Sequence, residues 1–168
     1  MSAKIPHNEC YTYFAIDGNF DPELITKRLG LRPSYTHRIG DQDTRLGNEY
    51  IWPVWQYGMY RKYDNCINNM LMKTIEDLLP KVELLQSLKA EFDLKYFLRV
   101  VLTVYPYNVS PDLSPGAEVI SFLYHTGTQF SVDHYCQDPF EVKREGNGME
   151  EIWEALKMHN KANQKNNS

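Results

Sequence analysis

The chain has 168 residues, 42% of them hydrophobic and 13% aromatic, which is enough for one globular domain with its own core. With 18 basic and 22 acidic residues the net charge is -4, so a broad cationic surface for nucleic acid is disfavoured. Three widely spaced cysteines argue against a disulfide framework. Residues 1–9 lack an apolar signal core and no apolar run could span a bilayer, so we expect a cytoplasmic protein without membrane contact.

The first two elements follow from local signals. Residues 9–17 are rich in tyrosine, alternate in polarity and precede a turn sequence, which predicts a strand. Asp21 can accept hydrogen bonds from a first helical turn, and Pro22 suits the first helical position. Gly30 supplies a left-handed residue, so we predict a short helix that ends there.

A long hairpin comes next. Residues 34–39 form its predicted first arm, the glycine-flanked polar residues 40–48 its loop, and residues 49–60 its second arm. Pro53 cannot donate a hydrogen bond to a neighbouring strand. We therefore expect the second arm to be an edge strand or to contain a bulge.

The middle of the chain changes to a helical period. Apolar side chains recur at helical spacing from Ile67 to Leu79, Pro80 should break or kink that helix, and a second short helix covers residues 82–92. Residues 94–107 then alternate with apolar side chains on both faces, as expected of a central strand.

The last part of the domain is predicted to be a helix and a short strand. Ser114-Pro115 begins the helix, Gly127 ends it, and residues 129–135 form the strand. The chain then divides into three predicted units: an α+β domain over 1–138, an appended amphipathic helix over 139–160 with Ile152, Trp153 and Leu156 on one side, and a disordered polar tail over 161–168.

The order of these elements defines the expected fold class. It is β-α-β-β-α-β-α-β followed by a C-terminal helix. This order predicts an α+β protein with a mostly antiparallel sheet and helices packed on one face, related to ferredoxin-like architecture.

An ordered set of short motifs resembles the bacterial DUF4279 family over roughly residues 11–135. The set consists of Ile16-Asp17-Gly18, Asp21-Pro22, Ile25-Thr26, Leu29-Gly30, Pro33, Gly40, Arg45, Trp55, Leu78-Leu79-Pro80 and the stretch from Phe130 to Tyr135. The resemblance implies the fold and a bacterial cytoplasmic origin. The family has no established activity, so the resemblance implies no catalytic residue.

Three arrangements of polar residues were considered for catalysis or metal binding. Asp41-Gln42-Asp43 could hold a divalent metal beside a phosphate, but no phosphate-binding glycine loop accompanies it. His125 and His134 could approach each other, yet the usual paired histidine spacing of zinc sites is missing. Cys136 near His134 has no third orienting group. We therefore predict no catalytic residue, no metal and no cofactor.

The most distinctive feature is a concentration of aromatic side chains interleaved with histidine and arginine. Trp55 is expected to lie in the core, and the aromatics could all simply pack beneath helices. The surplus has the composition of protein-interaction hot spots. The predicted partner-binding residues are Tyr35, His37, Arg38, Arg45, Tyr50, Trp52, Tyr57, Tyr60 and Arg61.

These residues lead to three functional hypotheses. The preferred one is a non-catalytic module that binds another protein, with an immunity-like or regulatory role and a toxin domain as one possible partner. The second is a small-molecule-binding domain or small enzyme with a pocket between the 34–60 hairpin and the helix from Asn65, using His37, Arg38, Asp41 and Asp43. The third is a homodimer formed through an edge strand. Stacking on single-stranded nucleic acid is disfavoured by the acidic balance.

Overall fold

A computed structural model describes residues 7–43, 46–61, 66–105 and 108–136. Its elements are β1 (Glu9–Asp17), α1 (Pro22–Leu29), β2 (Tyr35–His37), β3 (Val54–Tyr60), α2 (Ile67–Ile75), α3 (Val82–Phe92), β4 (Lys95–Val104), α4 (Ala117–Thr126) and β5 (Thr128–Cys136). A 3-10 turn, Leu79–Lys81, lies between α2 and α3. None of the helices in the described ranges is long and apolar enough to cross a membrane.

The strands form one sheet in the order β2-β3-β1-β4-β5. Strand β1 lies at the centre and pairs antiparallel with both β3 and β4, and β2 pairs antiparallel with β3. Strand β5 runs parallel to β4, because α4 carries the chain back before β5 begins. The α+β class is confirmed, and the sheet is mixed rather than wholly antiparallel. The relation to ferredoxin-like architecture stays a prediction.

The helices pack on one face of the sheet, as predicted. Each helix contacts a side chain from that face, in the pairs Thr26–Trp55 (α1), Thr74–Thr12 (α2), Leu85–Tyr96 (α3) and Phe122–Phe14 (α4). Trp55 is completely buried there, which confirms it as a core residue. Its indole Nε1 donates to the Thr26 hydroxyl at 3.0 Å, so this large side chain leaves no polar group unsatisfied.

The predicted helix ends are confirmed where local chemistry specifies them. The Asp21 side chain accepts a hydrogen bond from the backbone N–H of Glu23 at 3.0 Å, and Gly30 ends α1 with a φ of 63°. Helix α2 is shorter than predicted, because it ends at Ile75 rather than near Leu79. A break between the two helices is confirmed, but it starts after Ile75, and Pro80 itself lies in the 3-10 turn that precedes α3.

The hairpin differs from the prediction. Its second strand begins at Val54 rather than at residue 49, so the described residues 38–43 and 46–53 project beyond the sheet as a hairpin extension. Strand β3 is not an edge strand over residues 54–56, because β2 and β1 flank it there. The bulge alternative is correct, but the bulge lies at Gly58 and not at Pro53, since the register with β1 shifts there.

The second face of the sheet, here called the open face, has no described helix over it. Its rows are set by the strand register: Tyr11, Val101 and Asp133 form one row, and Tyr13, Arg99 and Ser131 form the next. The predicted C-terminal helix and polar tail lie outside the described residues.

Candidate functional site

The hairpin extension has an ordered backbone although it lies outside the sheet. Gly40 N–H donates to the Tyr50 carbonyl at 2.8 Å, and Tyr50 N–H donates to the Asp41 carbonyl at 2.9 Å. Nearer the tip, Asp43 N–H donates to the Asn48 carbonyl at 2.8 Å. These bonds continue the antiparallel pairing of β2 and β3, so the side chains of the extension project from a defined scaffold.

Large apolar side chains are concentrated on this hairpin. Eleven such side chains are exposed among the described residues, and five of them are Tyr35, Ile39, Leu46, Ile51 and Trp52. Their exposed fractions run from 40% for Tyr35 to 74% for Leu46. Apolar side chains scattered singly over a surface need no explanation, whereas a local concentration is typical of a binding surface.

An aromatic cluster fixes the base of the extension. The His37 ring stacks on Tyr50 with centroids 3.5 Å apart and an interplanar angle of 14°. Tyr35 lies edge-on to His37 at 5.6 Å, and its hydroxyl is 3.0 Å from that of Tyr50. The cluster therefore joins β2 to the returning arm of the hairpin and leaves one side of Tyr35 in solvent.

Charged residues attach the extension to the start of α1. The Arg38 guanidinium pairs with the Glu23 carboxylate and lies 3.9 Å from Asp21, the residue that caps the helix. The backbone N–H of Arg38 donates to the Asp41 carboxylate at 2.7 Å. The function of Asp41 in the described structure is thus to shape the turn, and the carboxylates near Arg38 neutralise its charge.

A small cavity of about 280 Å³ lies between the extension and α1, and its lining includes Thr26, Thr36, His37 and Asp41. The sequence predicted a pocket beside the helix from Asn65, so the cavity lies against a different helix.

The ring of His37 is buried at this cavity. Neither of its ring nitrogens makes a hydrogen bond of normal geometry to another described residue. Burial lowers the pKa of His37, although the Trp52 backbone and the charge of Asp41 act in the opposite direction.

The remaining predicted contact residues lie elsewhere. Tyr57 and Tyr60 pack against the core on the helix-covered face, and the Tyr57 hydroxyl donates to the Asp77 carboxylate at 2.5 Å. Arg61 lies over the Tyr11 ring, 5.0 Å from its centroid, at the far end of β3. Arg45 lies outside the described residues. The predicted set is therefore divided, and Tyr35, His37, Arg38, Tyr50 and Trp52 are the members that share the hairpin.

Sequence reasoning missed two parts of this surface. Ile39, Leu46 and Ile51 were assigned to a polar loop or to a strand interior, although their apolar character beside turn residues was a usable signal. It also missed a groove of about 400 Å³ on the open face, lined by Tyr13, Phe97, Arg99 and Trp52 among others. Only the register of three separate strands brings those residues together.

The polar groups that the sequence offers for metal binding or catalysis have other contacts in the structure. Across the described ranges, no three His, Cys, Asp or Glu side chains are placed to hold a metal ion. His125 Nδ1 lies 2.8 Å from the Ser121 carbonyl of its own helix. The His134 ring is 4.0 Å from the Cys136 sulfur, too far for a strong thiolate pair.

The fold and the site together define a small α+β domain with one projecting, apolar hairpin. The sequence profile of DUF4279, described as a domain of unknown function, matches residues 8–137. The chain belongs to this family. Comparisons with curated proteins and with solved structures gave no match.

Proposed function

We propose that the protein is a non-catalytic module that binds another protein through its hairpin extension. The observation that carries the proposal is the group of five exposed large apolar side chains on this one hairpin. Protein interfaces are enriched in aromatic residues and depleted in charge at their centre. Trp52, 60% exposed and beside the open-face groove, is the strongest anchor in the group.

The construction of the hairpin supports this proposal. Binding loses affinity when loops must be ordered on association, at about 0.5–1.5 kcal/mol for each immobilised flexible side chain. Here the backbone bonds of the extension, the stacked His37 and Tyr50 rings and the Arg38 ion pairs hold it before a partner arrives. A preformed hairpin therefore loses little conformational entropy on binding, so more of the free energy gained by burying its apolar side chains contributes to affinity.

The biological version of this proposal is an immunity-like or regulatory protein of the bacterial cytoplasm, with a toxin domain as a candidate partner. It is supported by analogy with other small acidic α+β proteins and by the apolar hairpin. The partner is another protein because an acidic chain with an apolar docking surface is poorly suited to bind phosphates.

A pull-down from the native host, followed by binding measurements with the recovered protein, tests the proposal. Trp52→Ala should weaken binding by at least about 30-fold, since an interfacial tryptophan contributes about 2 kcal/mol or more. Tyr124→Ala is the matched control, because Tyr124 is 81% exposed on α4. Equal affinities for the wild type and the Trp52 variant would refute the proposal.

A second candidate function is the binding of a small molecule in the cavity beside α1. It is favoured by His37, which lines the cavity and whose buried ring nitrogens make no hydrogen bond of normal geometry to a described residue. At about 280 Å³ the cavity suits only a compact ligand. Ligand-induced shifts of the His37 imidazole NMR signals, lost in His37→Asn and kept in Trp52→Ala, would support it. Unchanged signals across a metabolite panel would exclude it.

A further inference from the structure

Parts of the open face are less exposed to solvent than expected for a sheet face that no described helix covers. An antiparallel sheet with helices on one face usually exposes the other face to water. Val101 on the open face is nevertheless only 8% exposed. The Nε atom of Arg99 and the hydroxyl of Ser131 are shut off from solvent with no hydrogen-bond partner among the described residues. Buried polar groups of this kind normally find a partner, because leaving one unpaired costs about 1–3 kcal/mol.

The chain beyond the domain offers an apolar helix face of suitable size. In residues 149–159 the side chains of Met149, Ile152, Trp153 and Leu156 recur at i, i+3, i+4 and i+7, which gives one continuous stripe. Such a stripe is stable as a helix only when it packs against another surface.

The position of the last strand makes the open face accessible to this segment. Strand β5 is at the edge of the sheet and ends at Cys136. Residues 137–148, if extended, can span up to about 40 Å. Five strands spaced by about 4.8 Å are only about 20 Å wide, so the segment can cross the whole sheet.

Charge complementarity points to the same surface. Arg99 is the cation at the centre of the open face, and its nearest carboxylate, on Asp133, is 4.0 Å away, at the limit of an ion pair. In the 149–159 segment Glu150 flanks the apolar stripe on the same side as Trp153, whereas Glu151 and Glu154 lie on the opposite side of the helix. The Glu150 carboxylate can accept a hydrogen bond from the Nε atom of Arg99, which has no partner among the described residues.

We propose that residues 149–159 form a helix that packs its apolar stripe on the open face, with Trp153 against Val101 and next to Arg99. The sheet then has helices on both sides, and the second layer comes from the protein's own C-terminal segment. The proposed helix and Trp52 both adjoin the open-face groove that Arg99 lines, so the two proposals are separated by their measurements: contacts of Trp153 for this one and affinity for a partner for the other.

NMR on the full chain tests the packing directly. We expect nuclear Overhauser contacts between the Trp153 indole and the Val101 methyl groups within one molecule. Leu156→Ala should weaken these contacts and lower the midpoint of thermal unfolding by about 5 °C. Met158→Ala is the control, because Met158 lies opposite the stripe and its loss should change neither measurement.

A mixed sample of differently labelled chains distinguishes the alternatives. Contacts that appear only between chains would show that a second copy covers the open face, and would overturn the intramolecular proposal. A Trp153 indole without contacts to the sheet would overturn it as well. Neither result affects the test of the hairpin, because Trp52→Ala leaves the C-terminal segment unchanged.

Discussion

Gly58 provides the sharpest test of the fold. It has a φ of 65° in the bulge of β3, and an added Cβ would lie 2.5 Å from the Thr74 carbonyl oxygen and 3.1 Å from the Thr74 Cα. Both atoms belong to the backbone of α2, so the clash can be relieved only if the helix moves off the sheet. The left-handed backbone costs about 1–2 kcal/mol for alanine, and overpacking adds about 1–3 kcal/mol. We expect Gly58→Ala to lower the free energy of unfolding by about 2–5 kcal/mol.

Gly30→Ala is the matched control for this prediction. Gly30 has nearly the same φ, 63°, but an added Cβ there would meet nothing within 4 Å. Its substitution should therefore cost only the backbone term of about 1–2 kcal/mol, without the added cost of overpacking. Urea denaturation followed by circular dichroism measures both variants. Equal losses would show that α2 does not press on the bulge and would refute the packing described for β3.

Three further predictions concern side chains. Trp52→Ala should change the free energy of unfolding by less than about 0.5 kcal/mol in urea denaturation, whereas Trp55→Ala should cost about 3–5 kcal/mol, because only Trp55 is buried. Burial, and then the hydrogen bond to a neighbouring carboxylate, raise the pKa of Tyr57 from 10.0 to about 12. The stabilisation that this pKa shift provides is fully present below pH 10 and is lost as the pH rises toward 12. The free energy of unfolding should therefore fall over that range in the wild type, and it should fall less in Tyr57→Phe. Burial also raises the pKa of Cys10 to about 11, so a thiol reagent at pH 8 should label exposed Cys136 rapidly and Cys10 only after unfolding.

Each of these predictions has a contradicting result. Equal destabilisation by the two tryptophan substitutions would mean that the hairpin side chain is part of the core. Identical pH profiles for the wild type and the Tyr57 variant would contradict the hydrogen bond between the Tyr57 hydroxyl and Asp77. Rapid labelling of Cys10 in the native protein, followed by peptide mass spectrometry, would contradict the burial of β1.

The sequence predicts elements well where the signal is local. Asp21 and Gly30 fix the ends of α1 because each acts on backbone groups within a few residues of itself. The helical spacing of apolar residues up to Leu79 predicted too long a helix. The Leu78 side chain is completely buried, as the spacing indicates, but its backbone is no longer part of α2. Periodicity reports which side chains are buried, and the end of a helix depends on backbone hydrogen bonds.

Features that depend on distant parts of the chain could not be predicted in the same way. Ile51 and Trp52 have the composition of a strand, yet they lie outside β3 because β2 is too short to pair with them. The parallel direction of β5 depends on where α4 returns the chain. For the candidate site, composition pointed to the hairpin, but it could not separate the exposed Trp52 from Tyr57, which the helices partly cover.

The separation between the hairpin extension and the core has a consequence for how recognition can change. Ile39, Leu46 and Ile51 are mostly in solvent, so replacing them removes little that the folded domain needs. New combinations of side chains at these positions can therefore be sampled while the scaffold stays intact. Under the proposed function, the hairpin extension could follow a changing partner without loss of the fold, and the same positions are the ones to randomise in a library that selects new binding specificities.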